Sequence, residues 1–157
     1  KVGLLNVDYQ STYDFALSFA GENRNIAEAI FNALTEREIS LFYDKNEQHR
    51  ILASNVEEYL APIYKSEATY VICILGKEYP KKIWTKFESE QFKDRFSEDA
   101  IIPIRLSNVD VGVFDKINAV GRMDFDVEGD FNLQILDICN VLCSKLSEYK
   151  RSHKPVN

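Results

Sequence analysis

The segment KKIWTKFESEQF, residues 81–92, places a carboxylate among aromatic residues. At about 100° per residue, with Trp84 set at zero, Phe87 falls near −60°, Glu88 near +40°, Phe92 near +80° and Phe96 near +120°. Glu88 therefore lies inside the apolar arc of a predicted helix, while Glu90 and Lys93 point to the opposite side. A carboxylate on a buried face is costly unless it is paired or borders a cavity. Paired, Glu88 is a core-edge residue satisfied by a backbone amide or a lysine. Beside a cavity, it is a charge in position to act on a ligand. Which of the two holds depends on where the surrounding elements put this face.

The pattern of apolar residues supplies those elements. YDFALSF (13–19) reads as a strand, and NRNIAEAIFNALTERE (23–38) follows with Ile26, Ile30 and Leu34 at helical spacing. ISLFY (39–43) is a short strand, and DKNEQHRILA (44–53) is a polar loop. Ser54 and Glu57 have the spacing of a capping box, opening a helix that Pro62 is expected to kink or shorten. ATYVICILG (68–76) is almost continuously apolar, as in a strand covered on both faces. The helix carrying Trp84 comes next, then the strand AIIPIRL (100–106), where Pro103 predicts an edge or a bulge. GRMDF (121–125) is a final short strand. FNLQILDICNVLCSKLSEY (131–149) is a long amphipathic helix with Ile135, Cys139, Leu142, Leu146 and Tyr149 on one side.

Strands alternating with helices predict a doubly wound parallel sheet with right-handed crossovers and helices on both faces. Such folds bind ligands at the carboxyl ends of their strands. Glu88 is expected about one turn into the helix after the central strand, which puts it at that edge. Phe19, Ala20 and Gly21 follow the first strand, where backbone amides can approach a ligand and Gly permits unusual dihedrals. Arg24 reads as a phosphate contact or a solvated surface residue, and Asp44 as a ribose-hydroxyl ligand or a turn acid. Tyr79 lines a pocket or belongs to an ordinary Tyr-Pro turn. Trp84 walls a ligand or is plain core. His49 is expected to be exposed.

Composition narrows the functional classes. With 157 residues, 45% of them apolar, the chain suits one domain with a real core. A net charge of −6 and the lack of any basic stripe argue against a direct nucleic-acid partner. The longest apolar runs have strand length, so no membrane span is expected, and no signal peptide is recognisable. The first residue is Lys1 rather than Met, from which we expect a domain excised from a longer protein. Cys73, Cys139 and Cys143 read as small hydrophobes in a reducing cytoplasm. With His49 and His153 far apart in sequence, no metal-ligand spacing exists. A single Gly in FAGENR is no dinucleotide fingerprint, which disfavours hydride transfer and P-loop chemistry.

Three segments resemble one family. YDFALSFAGENR (13–24) is similar to the opening strand and loop of Toll/interleukin-1 receptor (TIR) domains, particularly bacterial ones. ISLFYDKNEQ (39–48) looks like their second strand entering a mobile loop, and YPKKIWTKFESE (79–90) like their Trp-x-x-x-Glu helix. The resemblance covers roughly residues 12–125, and the last helix is consistent with it. Lys82 and Thr85 stand where many receptor-type members carry Ser and Cys, and the 44–53 loop lacks their Pro-Gly pair. Both differences favour a bacterial protein over an animal adaptor.

The resemblance implies a flavodoxin-like open, five-stranded parallel sheet, with residues 1–11 an extension or linker, 12–150 the TIR domain and 151–157 a tail. Some members of the family are assembly modules of innate immunity. Others cleave NAD+ at the nicotinamide–ribose bond with the Glu four residues after the Trp, which is Glu88 here. The expected function is therefore that of a cytoplasmic NAD+ glycohydrolase or cyclase in bacterial anti-phage defence or signalling. NAD+ would be substrate, not cofactor, and no metal is implied. Phe19, Ala20, Gly21, Arg24, Asp44, Tyr79 and Trp84 are the expected substrate contacts. Family members act through TIR–TIR self-association, with a sensor domain or partner outside this sequence. The alternative is a non-catalytic interaction module in which Glu88 is structural.

Overall fold

Five apolar segments pair edge to edge in a single sheet. β1 (Phe15–Phe19), β2 (Leu41–Phe42), β3 (Tyr70–Leu75), β4 (Ile101–Leu106) and β5 (Met123–Phe125) are all parallel, in the order β2-β1-β3-β4-β5. The computed structural model describes residues 13–43, 55–96, 99–110, 112–114 and 122–153. Asp44, His49, Ser54 and the loop containing them lie outside the described residues. Every residue of β1 and β3 is buried, as central strands covered on both faces must be. Helices flank the sheet: α1 (Arg24–Glu36), α2 (Val56–Ser66), the short α3 (Lys81–Phe87) and α4 (Glu90–Arg95), and the long α5 (Phe131–Ser152). The expected flavodoxin-like architecture is the observed one.

The helices follow from local sequence. α1 buries Ile26, Ala27, Ile30 and Leu34 and packs on α5, which buries Ile135, Ile138, Cys139, Leu142 and Leu146. The capping box opening α2 is Asn55 with Glu58, one residue later than expected. Asn55 Oδ1 accepts from the Glu58 amide at 2.8 Å, and Glu58 Oε1 accepts from the Asn55 amide at 3.3 Å. Asn caps as well as Ser, so the N-x-x-E spacing competes with S-x-x-E on equal terms. Among the described residues, no helix is long and apolar enough to cross a membrane.

The expected shortening at Pro62 and the expected edge or bulge at Pro103 both need correction. α2 continues through Pro62 to Ser66, because Tyr59, Leu60 and Ile63 are buried on either side of it and hold the helix in place. The loss of one helical hydrogen bond is outweighed by that burial. Pro103 lies neither in an edge strand nor in a bulge, since β4 pairs with β3 through Cys73↔Pro103 and with β5 from Ile104 onwards. The bond from the Val71 amide to the Ala100 carbonyl turns the even-numbered residues of β4 toward β3. Pro103 thus faces the β5 side, at a level β5 has not yet reached, and no ladder donor is lost.

Burial also sets the response to alkali. It pushes the Cys139 thiol up from 9.0 to about 11 and raises the phenols of Tyr43, Tyr64 and Tyr70, that of Tyr43 further through its hydrogen bond to Glu28. Each group holds its proton more tightly folded than unfolded. The stability this contributes is complete below about pH 9 and is lost as pH rises through the folded values. Denaturant melts at stepped pH are expected to show a fall above pH 9 that is shallower in Cys139→Ala. An identical fall in the variant would remove Cys139 from this account.

Candidate active site

The chain order 2-1-3-4-5 reverses direction between β1 and β3, and open parallel sheets bind ligands beside such a switch point. The turn after β1 carries Ala20 and a 3-10 turn, Gly21–Asn23; the turn after β3 begins at Gly76. The Asn23 carboxamide packs against Gly76, where a Cβ would force that side chain to shift. Asn23 Oδ1 is buried there with no hydrogen-bond partner among the described residues.

α3 leaves this edge after Pro80, and its short length is the structural result that most changes the reading of Glu88. The expected helix through Phe96 is two helices. Ser89 adopts an extended conformation (φ −77°, ψ 153°), donates from Oγ to the Lys86 carbonyl at 2.6 Å, and accepts from the Phe92 amide at 3.2 Å. Glu90 follows in the first turn of α4, where a negative charge complements the helix dipole. Glu88 is therefore the residue that caps the C-terminus of α3, two turns from Lys81 rather than one turn into the helix. Its amide donates to the Trp84 carbonyl at 3.1 Å. Phe87 and Phe92 both enter the core on either side of the break and meet edge to face at 4.9 Å.

Glu88 is half-buried and lines a cavity of about 360 Å³ together with Lys81, Trp84, Thr85, Ser89, Gly112 and Val113. Lys81, Trp84, Thr85 and Glu88 occupy positions i, i+3, i+4 and i+7 of one helix face. The opposite wall comes from the segment that follows β4, where Gly112 has φ +89°, a conformation that favours glycine. Trp84 is at once core and wall: only 3% exposed, it packs edge to face on Phe114 at 6.2 Å while bordering the cavity.

Of the other sequence-derived candidates among the described residues, the structure brings only Trp84 to the cavity with Glu88. Tyr79 is interior. Its phenol oxygen lies 2.7 Å from Ser18 Oγ, which also meets Tyr59 at 2.7 Å, and its ring packs on Phe114. Ser18, fully buried in β1, thus joins α2 to the turn before α3. Phe19 and Ala20 are buried at the end of β1, with Gly21 half-buried beside them. Arg24 donates to Tyr43 Oη at 3.2 Å and lies 3.8 Å from Glu28. Asp44 is outside the described residues. A second cavity, about 270 Å³, opens between α1 and the ends of β4 and β5, with Asn23, Leu106, Phe125 and Phe131 in its lining.

Lys81 and Thr85 escaped the sequence reading although their spacing from Glu88 signals a shared face. Ser89 carried its own signal, a capping residue followed by an acid. Nothing local pointed to Gly112, Val113 or Phe114, which meet α3 only through the tertiary fold.

The arrangement defines a class: a doubly wound α/β domain whose ligand edge adjoins a half-buried carboxylate walled by tryptophan. The sequence matches the TIR domain family over residues 15–135, and the chain belongs to that family. It is also similar to 3′ cyclic ADP-D-ribose synthase AaTIR from Aquimarina amphilecti, with 36% identity over 102 residues. That match covers 63% of this chain and only 31% of the curated relative's own length.

Phe114 links the cavity to the interior by touching both Tyr79 and Trp84. Trp84 is the single tryptophan of the chain, so its emission reports this contact. Phe114→Ala is expected to shift that emission to the red and to lower stability by about 3 kcal/mol. Unchanged emission would mean that Phe114 does not shield the indole.

Proposed function

We propose that this domain cleaves the nicotinamide–ribose bond of NAD+, with Glu88 as the catalytic residue. The observation that carries the reading is Glu88 itself, half-buried and lining a cavity beside Trp84 in a chain of the TIR family. The name of the Aquimarina amphilecti relative, a 3′ cyclic ADP-D-ribose synthase, supports the same chemistry.

One carboxylate suffices for this reaction. Ordinary glycosides need an acid to protonate the leaving oxygen. In NAD+ the nitrogen of the leaving group is already a cationic pyridinium. When the C1′–N bond breaks, its electron pair passes to that nitrogen and nicotinamide departs neutral. Positive charge is left on the ribose. An anionic Glu88 within reach of the ribose hydroxyls stabilises that charge, and more strongly where walls such as Trp84 exclude water. Water then captures the cation and loses a proton, giving ADP-ribose. If an atom of the same molecule captures it instead, the product is cyclic.

The resemblance further supports an effector of bacterial anti-phage defence or signalling whose activity is switched on by oligomerisation. Exposed Leu133, Leu136 and Val141 along α5 offer apolar surface for association. Head-to-tail contacts between copies are heterologous and propagate into filaments. The same surface suits the second reading, an interaction module without turnover.

Incubating concentrated or artificially oligomerised protein with NAD+ separates the two. Nicotinamide release is expected from the wild type, reduced at least about a hundredfold in Glu88→Gln, the scale of losing one transition-state charge contact. Chromatography of the remaining product distinguishes hydrolysis from cyclisation. Association without nicotinamide release, or equal turnover by Glu88→Gln, contradicts the enzymatic proposal.

A further inference from the structure

The Glu88 cavity has two charged residues in its described lining, and they lie at opposite ends of one helix. Lys81 opens α3 and Glu88 caps its C-terminus. Seven residues at 1.5 Å each separate them by about 10 Å along the axis. Lys81 is exposed and forms no ion pair among the described residues. Lys86, by contrast, lies off this face and is held by Glu57 at 3.0 Å. Lys82 is exposed and does not line the cavity. The other side chains of the described lining are neutral. Ser89 has already committed its hydroxyl to both a donor and an acceptor role in the helix break.

We infer that Lys81 binds the pyrophosphate of the substrate and so selects phosphorylated nucleotides over the bare nucleoside. The inference rests on the NAD+-cleaving reading of this same cavity. A pyridine dinucleotide carries its charges in the matching order. The bond to be broken is at C1′ of the nicotinamide ribose, where cationic charge develops, and the anionic pyrophosphate hangs from C5′ of that ribose. With the scissile bond at Glu88, the pyrophosphate lies along α3 toward Lys81. The four-carbon stem of a lysine lets its ammonium cover the remaining distance, and an ammonium is a good point charge for a phosphate. Lys81 makes no contact with the reacting bond. It is a specificity-determining residue, and its effect belongs in substrate affinity rather than in the bond-breaking step.

The test uses two ligands that divide the substrate. ADP-ribose has the pyrophosphate and no nicotinamide bond to cleave, whereas nicotinamide riboside has the nicotinamide bond and no phosphate. Both are titrated at low salt against the full chain, following Trp84 emission, with nicotinamide riboside measured in the Glu88→Gln background to prevent turnover. Lys81→Gln is expected to weaken ADP-ribose binding about tenfold, and Lys81→Arg to restore most of it. Nicotinamide riboside affinity should change less than about twofold in both variants, since it offers Lys81 no anion. Added salt should weaken ADP-ribose binding more steeply in the wild type than in Lys81→Gln.

Equal ADP-ribose affinity in wild type and Lys81→Gln overturns the inference. So does a failure of ADP-ribose to bind the wild type, or an equal loss for both ligands. These outcomes stand apart from the fate of the proposed function. A wild type that never releases nicotinamide sinks the enzymatic reading, yet Lys81-dependent binding of ADP-ribose would still identify a pyrophosphate site. Normal nicotinamide release with Lys81-independent binding would leave the enzyme and remove only the subsite.

Discussion

The hydrogen bonds of Ser89 are the constraint on which the site depends. By donating to the Lys86 carbonyl and accepting from the Phe92 amide, Ser89 stops one helix and starts another. An unbroken helix would have to accommodate Glu88 within the arc defined by its aromatic neighbours, at the cost of burying a charge. The break removes that conflict. Phe87 and Phe92 both reach full burial, while Glu88 between them turns to the cavity.

Behind this wall the interior is cross-linked by hydrogen bonds and ring contacts. Ser18 Oγ meets the phenols of Tyr59 and Tyr79 in the interior, so the central strand, α2 and the turn before α3 share one polar node. Tyr79 packs on Phe114, and Phe114 on Trp84, which extends the node to the cavity lining. A carboxylate stabilises a developing charge best when it need not reorganise as that charge appears, and the role proposed for Glu88 draws on the packing behind the wall. Asn23 Oδ1 at the switch point has the opposite character: it is buried with no hydrogen-bond partner among the described residues.

The sheet was legible because a central parallel strand must be apolar throughout, and segments 13–19 and 68–76 are. The long helix at 131–149 was legible from its periodicity, and the pairing of Trp84 with Glu88 on one face from their spacing of four. Where structure and local pattern part, tertiary contacts override local propensity. Pro62 is a helix breaker in isolation, yet burial of Tyr59, Leu60 and Ile63 carries α2 past it. Pro103 is excluded from central strands unless its missing donor faces an unoccupied level, and that level depends on where β5 starts. The break at Ser89 was written locally but competed with an apolar pattern that ran straight across it. Gly112, Val113 and Phe114 had no local signal, because their role comes from the β4 connection folding back over α3.

The account stands on where the nicotinamide end of NAD+ sits. A crystal structure of the Glu88→Gln variant soaked with NAD+ measures this directly. The account predicts the nicotinamide ribose in the cavity between α3 and the 112–114 segment, with its hydroxyls within hydrogen-bonding distance of the residue-88 side chain. Density for the dinucleotide in the cavity beside Phe125 and Phe131 instead, with the residue-88 cavity empty, would contradict it.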